Sequence, residues 1–317
     1  MRGLFAVLAL LCCSAGAIWN AGTIRAASTG SINWSHDLST AQHFSRDSGK
    51  PILWIRDDNS ARKAITGPLA HPIVVDAADT LFIPLVTAET TPGGASLCFV
   101  DASGRELAAG SSGSLTTAAV LKQMVAALQA AHRDVPAYLR LVSDEYNPVL
   151  PQTATFAVGC YWEGERQIGK LDGIVATRTG TVGEDEVVEV DFDASRVGYP
   201  DLLQQVGSMR CFRSAVTPGG AKLQPSDVQQ FTLAQSPEYW YLPLTALQAT
   251  KINAILSQRG DPDDLLSPTQ RTMHLELRDI IAHGGFDTLK ELTVDRSIDG
   301  LGKYCQTLRR TVTQLGG

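Results

Sequence analysis

The sequence predicts a mixed α/β protein of two domains joined by a linker. Three observations carry that expectation. The chain has 317 residues, more than one hydrophobic core ordinarily organises. Short apolar runs alternate with amphipathic stretches on both sides of the chain's middle. Between them, residues 134–152 are rich in proline and polar residues, with Pro136, Pro148 and Pro151, as a linker would be.

In the first domain, residues 31–133, Leu38 to Ser48 reads as a helix closed by Gly49. Pro51 to Ile55, Leu81 to Val86 and Ser96 to Asp101 are short apolar runs suited to buried strands. Leu115 to His132 is a long amphipathic helix with Val120, Leu121, Met124, Val125 and Leu128 on one stripe. In the second domain, residues 153–260, Thr155 to Val158 is a strand that runs into Gly159-Cys160, and a helix starts near Tyr161. Gly173 to Gly180 and the alternating run Val187 to Asp193 are strands. Tyr199 to Val206 is helical, Phe212 to Val216 is a strand, and Leu244 to Gln258 is a helix. Residues 261–317 form a mainly helical extension.

Apolar residues make up 44% and charged residues 19%, enough for two cores. With a net charge of −6 and no long basic run, nothing draws the chain to nucleic acid or acidic lipid. Arg2, the apolar run Leu4 to Leu11 and Ala15-Gly16-Ala17 describe a secretory signal, with a second cut near Ala26-Ala27. Residues 1–27 are therefore expected to be a signal peptide and the mature protein periplasmic or secreted. The competing reading is an uncleaved anchor; no other stretch is long enough to cross a bilayer. Beyond residue 27 stand Cys98, Cys160, Cys211 and Cys305, whose pairing the sequence leaves open. Without a Cys-x-x-Cys or a His pair at ligand spacing, no metal is expected, and no organic cofactor.

The first domain resembles a thioredoxin-like domain. The likeness rests on Ile32-Asn33-Trp34, Gly49-Lys50-Pro51-Ile52-Leu53, and Thr91-Pro92 followed by Leu97-Cys98-Phe99-Val100-Asp101. It implies a cis bond before Pro92. Where that family carries its redox pair, this chain reads Arg56-Asp57-Asp58-Asn59-Ser60-Ala61-Arg62, so dithiol exchange by that route is excluded.

Cys160 is the candidate for chemistry. It ends an apolar strand directly before a helix, where backbone N–H groups favour an anionic sulfur. Tyr161 and Trp162 offer aromatic faces for a small apolar group, and Glu165 lies one helical turn on. The bland alternative is a core cysteine beside core aromatics. The run Thr155-Phe156-Ala157-Val158-Gly159-Cys160-Tyr161-Trp162-Glu163-Gly164-Glu165 resembles the signature of the peptide methionine sulfoxide reductase A family. The likeness continues through Leu171 to Val175, Thr179-Gly180, Glu186 to Asp193 and Tyr199 to Leu203. It implies a ferredoxin-type α/β sandwich with Cys160 as nucleophile, Tyr161 and Trp162 holding the substrate methyl group, and Glu165 as acid. The implied reaction is thiol-dependent reduction of methionine sulfoxide, in proteins or as a free residue, through a Cys160 sulfenic acid. A thioredoxin-type dithiol would recycle the enzyme.

The sequence also departs from that family. An insertion before Val187 is nearly gone, and Leu203 passes almost directly to Cys211-Phe212-Arg213-Ser214, which puts Phe212 where the family has a tyrosine. Loss of one donor from an oxyanion site costs roughly a hundredfold or more in rate. Cys211 is the first choice of resolving thiol and Cys305 the second; Tyr239 or Tyr241 could replace the lost hydroxyl. The acidic run Gly183-Glu184-Asp185-Glu186 reads as a charged turn. Two other functions compete: a catalytically degenerate protein that binds a peptide or protein partner, and peroxide or disulfide chemistry at Cys160 with Cys211.

Overall fold

The computed structural model of the chain describes residues 31–56, 66–88, 97–111, 115–217, 222–283, 287, 289 and 297–315. The signal segment, the stretch Asp57 to Arg62 and the Thr91-Pro92 bond lie outside the described residues.

The first unit comprises α1 (Leu38–Ser48), β1 (Ile52–Arg56), α2 (Pro72–Leu81), β2 (Ile83–Thr87), β3 (Leu97–Val100), β4 (Glu106–Ser111), α3 (Thr117–Ala130) and α4 (Ala137–Tyr146). Helix α1 begins where Asp37 Oδ2 accepts the Thr40 N–H at 2.7 Å and ends at Gly49, whose φ of 67° suits glycine. The sheet order is β2-β1-β3-β4, with β1 and β2 parallel and the other pairs antiparallel. Successive residues of a strand face opposite ways, and β1 shows it. Leu53 and Ile55 join a core with Ile73 of α2, Val120 of α3 and Leu139 of α4. Ile52 and Trp54 pack with Ala41 of α1 and with Cys98.

Two stretches differ from expectation. Leu81 closes α2 rather than opening a strand. Ile73 through Ala78 are all buried in that helix, so it shows no one-sided apolar stripe to read. The span expected as a linker holds α4, which buries Tyr138, Leu139 and Val142, and then the first residues of the next strand. Pro136, taken as a linker signal, stands at the N-terminus of that helix, where a missing N–H costs nothing.

The second unit contains β5 (Pro151–Val158), α5 (Tyr161–Ile168), β6 (Ile174–Val182), β7 (Asp185–Asp193), α6 (Tyr199–Gly207), β8 (Phe212–Thr217) and β9 (Gln224–Pro225). Its sheet order is β8-β5-β7-β6-β9, antiparallel throughout. Phe156, Val158, Val188 and Val190 share one face with Ile168 of α5 and Leu202 and Val206 of α6. A helical region follows: α7 (Phe231–Ala234), α8 (Pro237–Trp240), α9 (Ala246–Leu256), α10 (Pro268–Ala282) and α11 (Leu301–Leu315), centred on Ile252, Met273 and Leu277. Among the described residues no helix is long and apolar enough to cross a membrane.

Buried carboxylates tie the first unit to this region. Asp76 of α2 accepts Thr269 N at 3.0 Å, Thr269 Oγ1 at 2.5 Å and the Ser267 hydroxyl, all at the start of α10. Glu145 of α4 accepts Ala246 N at 3.1 Å, at the start of α9. Helix starts carry unpaired N–H groups and a positive dipole end, so carboxylates are suited to both places.

Candidate active site

Cys160 occupies the junction between β5 and α5. Its φ and ψ of −149° and 119° are extended, while its carbonyl already accepts the Gly164 N–H at 3.0 Å, so it is the N-terminal cap of α5. The side chain makes no capping bond, and the residue is exposed with a free thiol. Helix α5 reaches this position because it lies unusually close to the sheet. A Cβ on Gly164 would stand 3.0 Å from both Val158 Cγ1 and Val188 Cγ2, so a larger residue would lift the helix.

The carboxylate at the thiol is Glu186. Its Oε2 accepts the N–H of Tyr161, the residue after Cys160, at 2.8 Å. The cause is strand alternation: Glu186 shares with Val188 and Val190 the face of β7 on which α5 packs. The charged turn expected of the acidic run holds at Gly183 and Glu184, while Asp185 and Glu186 already belong to β7. The alternation Glu186-Val188-Val190-Phe192 was the available signal, since it carries the carboxylate onto the helix side.

Glu165 is elsewhere. Only 1% of it is exposed, whereas Cys160 is open to solvent. The carboxyl expected to act as acid is thus enclosed, and its side-chain partners are interior groups. Its helix position turns it inward with Gly164 and Ile168, toward β6 and α9. There Thr177 Oγ1 and Asn253 Nδ2 each approach its carboxyl at 3.5 Å. Burial pushes its pKa up to about 7, offset in part by the Gln230 and Phe231 N–H groups and by Thr177.

Tyr161 and Trp162, expected to hold the substrate methyl group, lie together. Tyr161 and Trp162 meet edge to face with centroids 5.4 Å apart, and Trp162 stacks on Phe231 at 4.1 Å and 16°. Trp162 Nε1 donates to Val228 O at 3.4 Å. Phe231 was not foreseen, because it comes from a segment without regular periodicity.

Cys211 lies beside the thiol. Its carbonyl accepts the Gly159 N–H at 2.6 Å, and the next residue, Phe212, pairs with Val158. Cys211 is half-buried; desolvation raises its thiol pKa, and the neighbouring Cys160 adds to the rise. Cys305 is in another place. It is buried in α11 within the helical core, and burial pushes its thiol up to about 12. Tyr239 donates to Asp263 Oδ1 at 2.8 Å and packs on His274, so its hydroxyl is spent in the helical core. Tyr241 packs against the same core.

An exposed cysteine capping a helix, a carboxylate on the next N–H, an aromatic wall and a second thiol form a compact thiol site. A part of the chain has named relatives. The peptide methionine sulfoxide reductase MsrA of Methanothermobacter thermautotrophicus is 42% identical over 69 residues, which covers 16% of this chain and 41% of that protein. The MsrA of Leifsonia xyli subsp. xyli is 35% identical over 68 residues, covering 17% and 40%. The MsrA of Salinispora arenicola is 26% identical over 119 residues, covering 30% and 54%. The segment is MsrA-like. The chain spans roughly two fifths to about half the length of these relatives, and no family model matches it. The likeness covers only part of the chain and lends no support to the thioredoxin-like resemblance of residues 31–133.

Proposed function

We propose that this protein reduces methionine sulfoxide to methionine outside the cytoplasm, with Cys160 as nucleophile. The observation that carries this reading is the exposed Cys160 thiol at the start of α5, with Glu186 bound to the adjacent N–H. The Cys160 sulfur gives up its proton and attacks the sulfoxide sulfur, while a proton passes by way of the Glu186 carboxyl group to the sulfoxide oxygen. Oxygen passes to Cys160 as a sulfenic acid and the sulfide leaves as methionine. Cys211 then condenses with the sulfenic acid, forming a disulfide and releasing water. The two electrons that reduce the sulfoxide thus come from two thiols. A thioredoxin-type dithiol returns the pair to the reduced state.

Tyr161 and Trp162 supply the wall for the substrate methyl group, with Phe231 behind Trp162. Placing the acid at Glu186 replaces the role first expected of Glu165. The first unit is read as a thioredoxin-like scaffold without its own redox pair, and Cys305 as a packing residue.

The test is incubation of the purified mature protein with a methyl sulfoxide substrate, with free thiols counted before and after. Stoichiometric methionine release with loss of two thiols per chain, abolished by Cys160→Ser, is the expected result. Thiol loss with peroxide alone, and none with sulfoxide, would replace the reading with peroxide chemistry. An unreactive Cys160 without turnover would leave the partner-binding reading.

A further inference from the structure

Glu165 is buried, titratable and unused by the reaction just described. It faces a segment that runs across the edge of the sheet from Gln224 to Phe231. Gln224 and Pro225 pair with Thr181 and Gly180 of β6. Further on, the Gln229 side chain brackets the backbone of Thr179, its Oε1 accepting from Thr179 N and its Nε2 donating to Thr179 O, both at 2.8 Å. The segment ends by placing Val228 O on the Trp162 indole N–H and Phe231 on the Trp162 ring.

We propose that Glu165 is a positioning residue whose carboxyl group clasps this strap to α5 and so holds Phe231 against the Trp162 wall of the substrate site. The clasp is a matter of geometry; only its effect on the substrate rests on the reductase reading.

Four consecutive N–H groups open α7. Those of Thr232 and Leu233 donate to Asn253 Oδ1 at 2.9 and 3.0 Å, and those of Gln230 and Phe231 lie near enough to the Glu165 carboxyl to lower its pKa. Asn253 Nδ2 turns back to Glu165 Oε2, which joins the two acceptors into one unit. Gln230 has a φ of 53°, a left-handed conformation that a side-chain-bearing residue holds only when its surroundings fix it. Removing the acceptor at Glu165 therefore frees a strained turn as well as two N–H groups.

The groups facing the carboxyl are Thr177 from β6, Asn253 from α9 and the strap amides, none of which titrates near neutrality. Charged neighbours sit at the two ends of α5: Glu186 of β7 on the Tyr161 N–H, and Lys251 of α9 on the Gly169 and Leu171 carbonyls. Burial favours the protonated acid, so the closed strap takes up a proton that the opened one releases. Opening becomes easier as pH rises through the interval from the ordinary carboxyl value to about 7.

The test is amide hydrogen exchange of the full chain, read at Gln230 and Phe231 and corrected for the intrinsic rate. In the native protein, exchange through opening is expected to rise by at most about a hundredfold between roughly pH 5 and pH 8. Glu165→Ala should raise it at least about tenfold at every pH, and Glu165→Gln, a neutral acceptor of the same shape, should restore protection and flatten the pH profile. With methyl sulfoxide as substrate, Glu165→Ala should raise KM by about tenfold with kcat within about threefold, the mark of a lost binding wall. Corrected exchange that is flat with pH in the native protein, or unchanged in a folded Glu165→Ala, overturns the clasp. Should Glu165→Ala not fold, the native pH profile decides alone. Absence of turnover in every form, with the exchange pattern as expected, would count against the reductase and leave the clasp standing.

Discussion

At the scale of single residues, two carboxylates on neighbouring elements differ in what surrounds them. Glu165, five residues from Cys160, turns into the interior, while Glu186 on the next hairpin stands at the thiol. The environments separate them. Glu165 has lost water and has its pKa raised to about 7 from 4.5. Two predictions follow from that division. Glu186→Gln should lower kcat by about a hundredfold to ten-thousandfold, as expected for a lost proton donor. Steady-state kinetics alongside circular dichroism would check that the fold is kept. Glu165 should govern stability instead. Its folded pKa is raised, so the native state binds the extra proton; its contribution is full below the unfolded value and is lost as pH rises through about 7. That amounts to about 3 kcal/mol between mildly acid and mildly alkaline solution. Urea unfolding across that range should show the decline in the native protein and a much flatter profile in Glu165→Gln.

At the scale of elements, helix α5 is what presents the cysteine, and its distance from the sheet sets where the thiol emerges. Gly164→Ala would gain about 0.5–1 kcal/mol of helix propensity. Against that, a Cβ 3.0 Å from two valine methyl groups overpacks a closed core at about 1–3 kcal/mol. The net change should be destabilising, and trimming the contact with Val188→Ala in the same chain should recover part of the lost melting temperature. The elements whose residues obey a simple period were legible beforehand. α1 was readable from its apolar spacing and Gly49, and β7 from its alternation from Val187 to Asp193. Helix α2 was not, because it is buried all round, and the strap before α7 was not, because its order comes from side-chain bonds such as those of Gln229. The exposed Cys160 and its aromatic neighbours, the candidate site, were visible in the Gly-Cys-Tyr-Trp run. The proton donor proposed here was hidden, since only the register of β6 against β7 and the packing of α5 bring Glu186 onto the Tyr161 N–H.

At the scale of the molecule, the first unit and the helical region are joined by carboxylates placed on helix starts. Asp76 is nearly enclosed, and burial pushes its pKa upward while the hydroxyls of Ser267 and Thr269 pull it back. Asp76→Ala would strand the Thr269 N–H and two hydroxyls in the interior. Each buried donor left unpaired costs about 1–3 kcal/mol, so a large fall in unfolding free energy is expected. Calorimetry would show whether the single transition then divides, with the first unit melting apart from the rest. The same junction spans the stretch 134–152. There, proline content pointed to a flexible connection, but α4 buries Tyr138, Leu139 and Val142 and supplies Glu145 to the start of α9.

The central claim is that Cys160 and Cys211 act as one redox pair facing the sulfoxide. The most direct measurement is peptide mapping of the protein by mass spectrometry after exposure to one equivalent of methyl sulfoxide without added reductant. With methionine sulfoxide as that substrate, the expected product is a peptide containing both cysteines joined by a disulfide, with one methionine released per chain and Cys305 still a free thiol. Recovery of Cys160 as an unmodified thiol with the sulfoxide unconsumed would contradict the account.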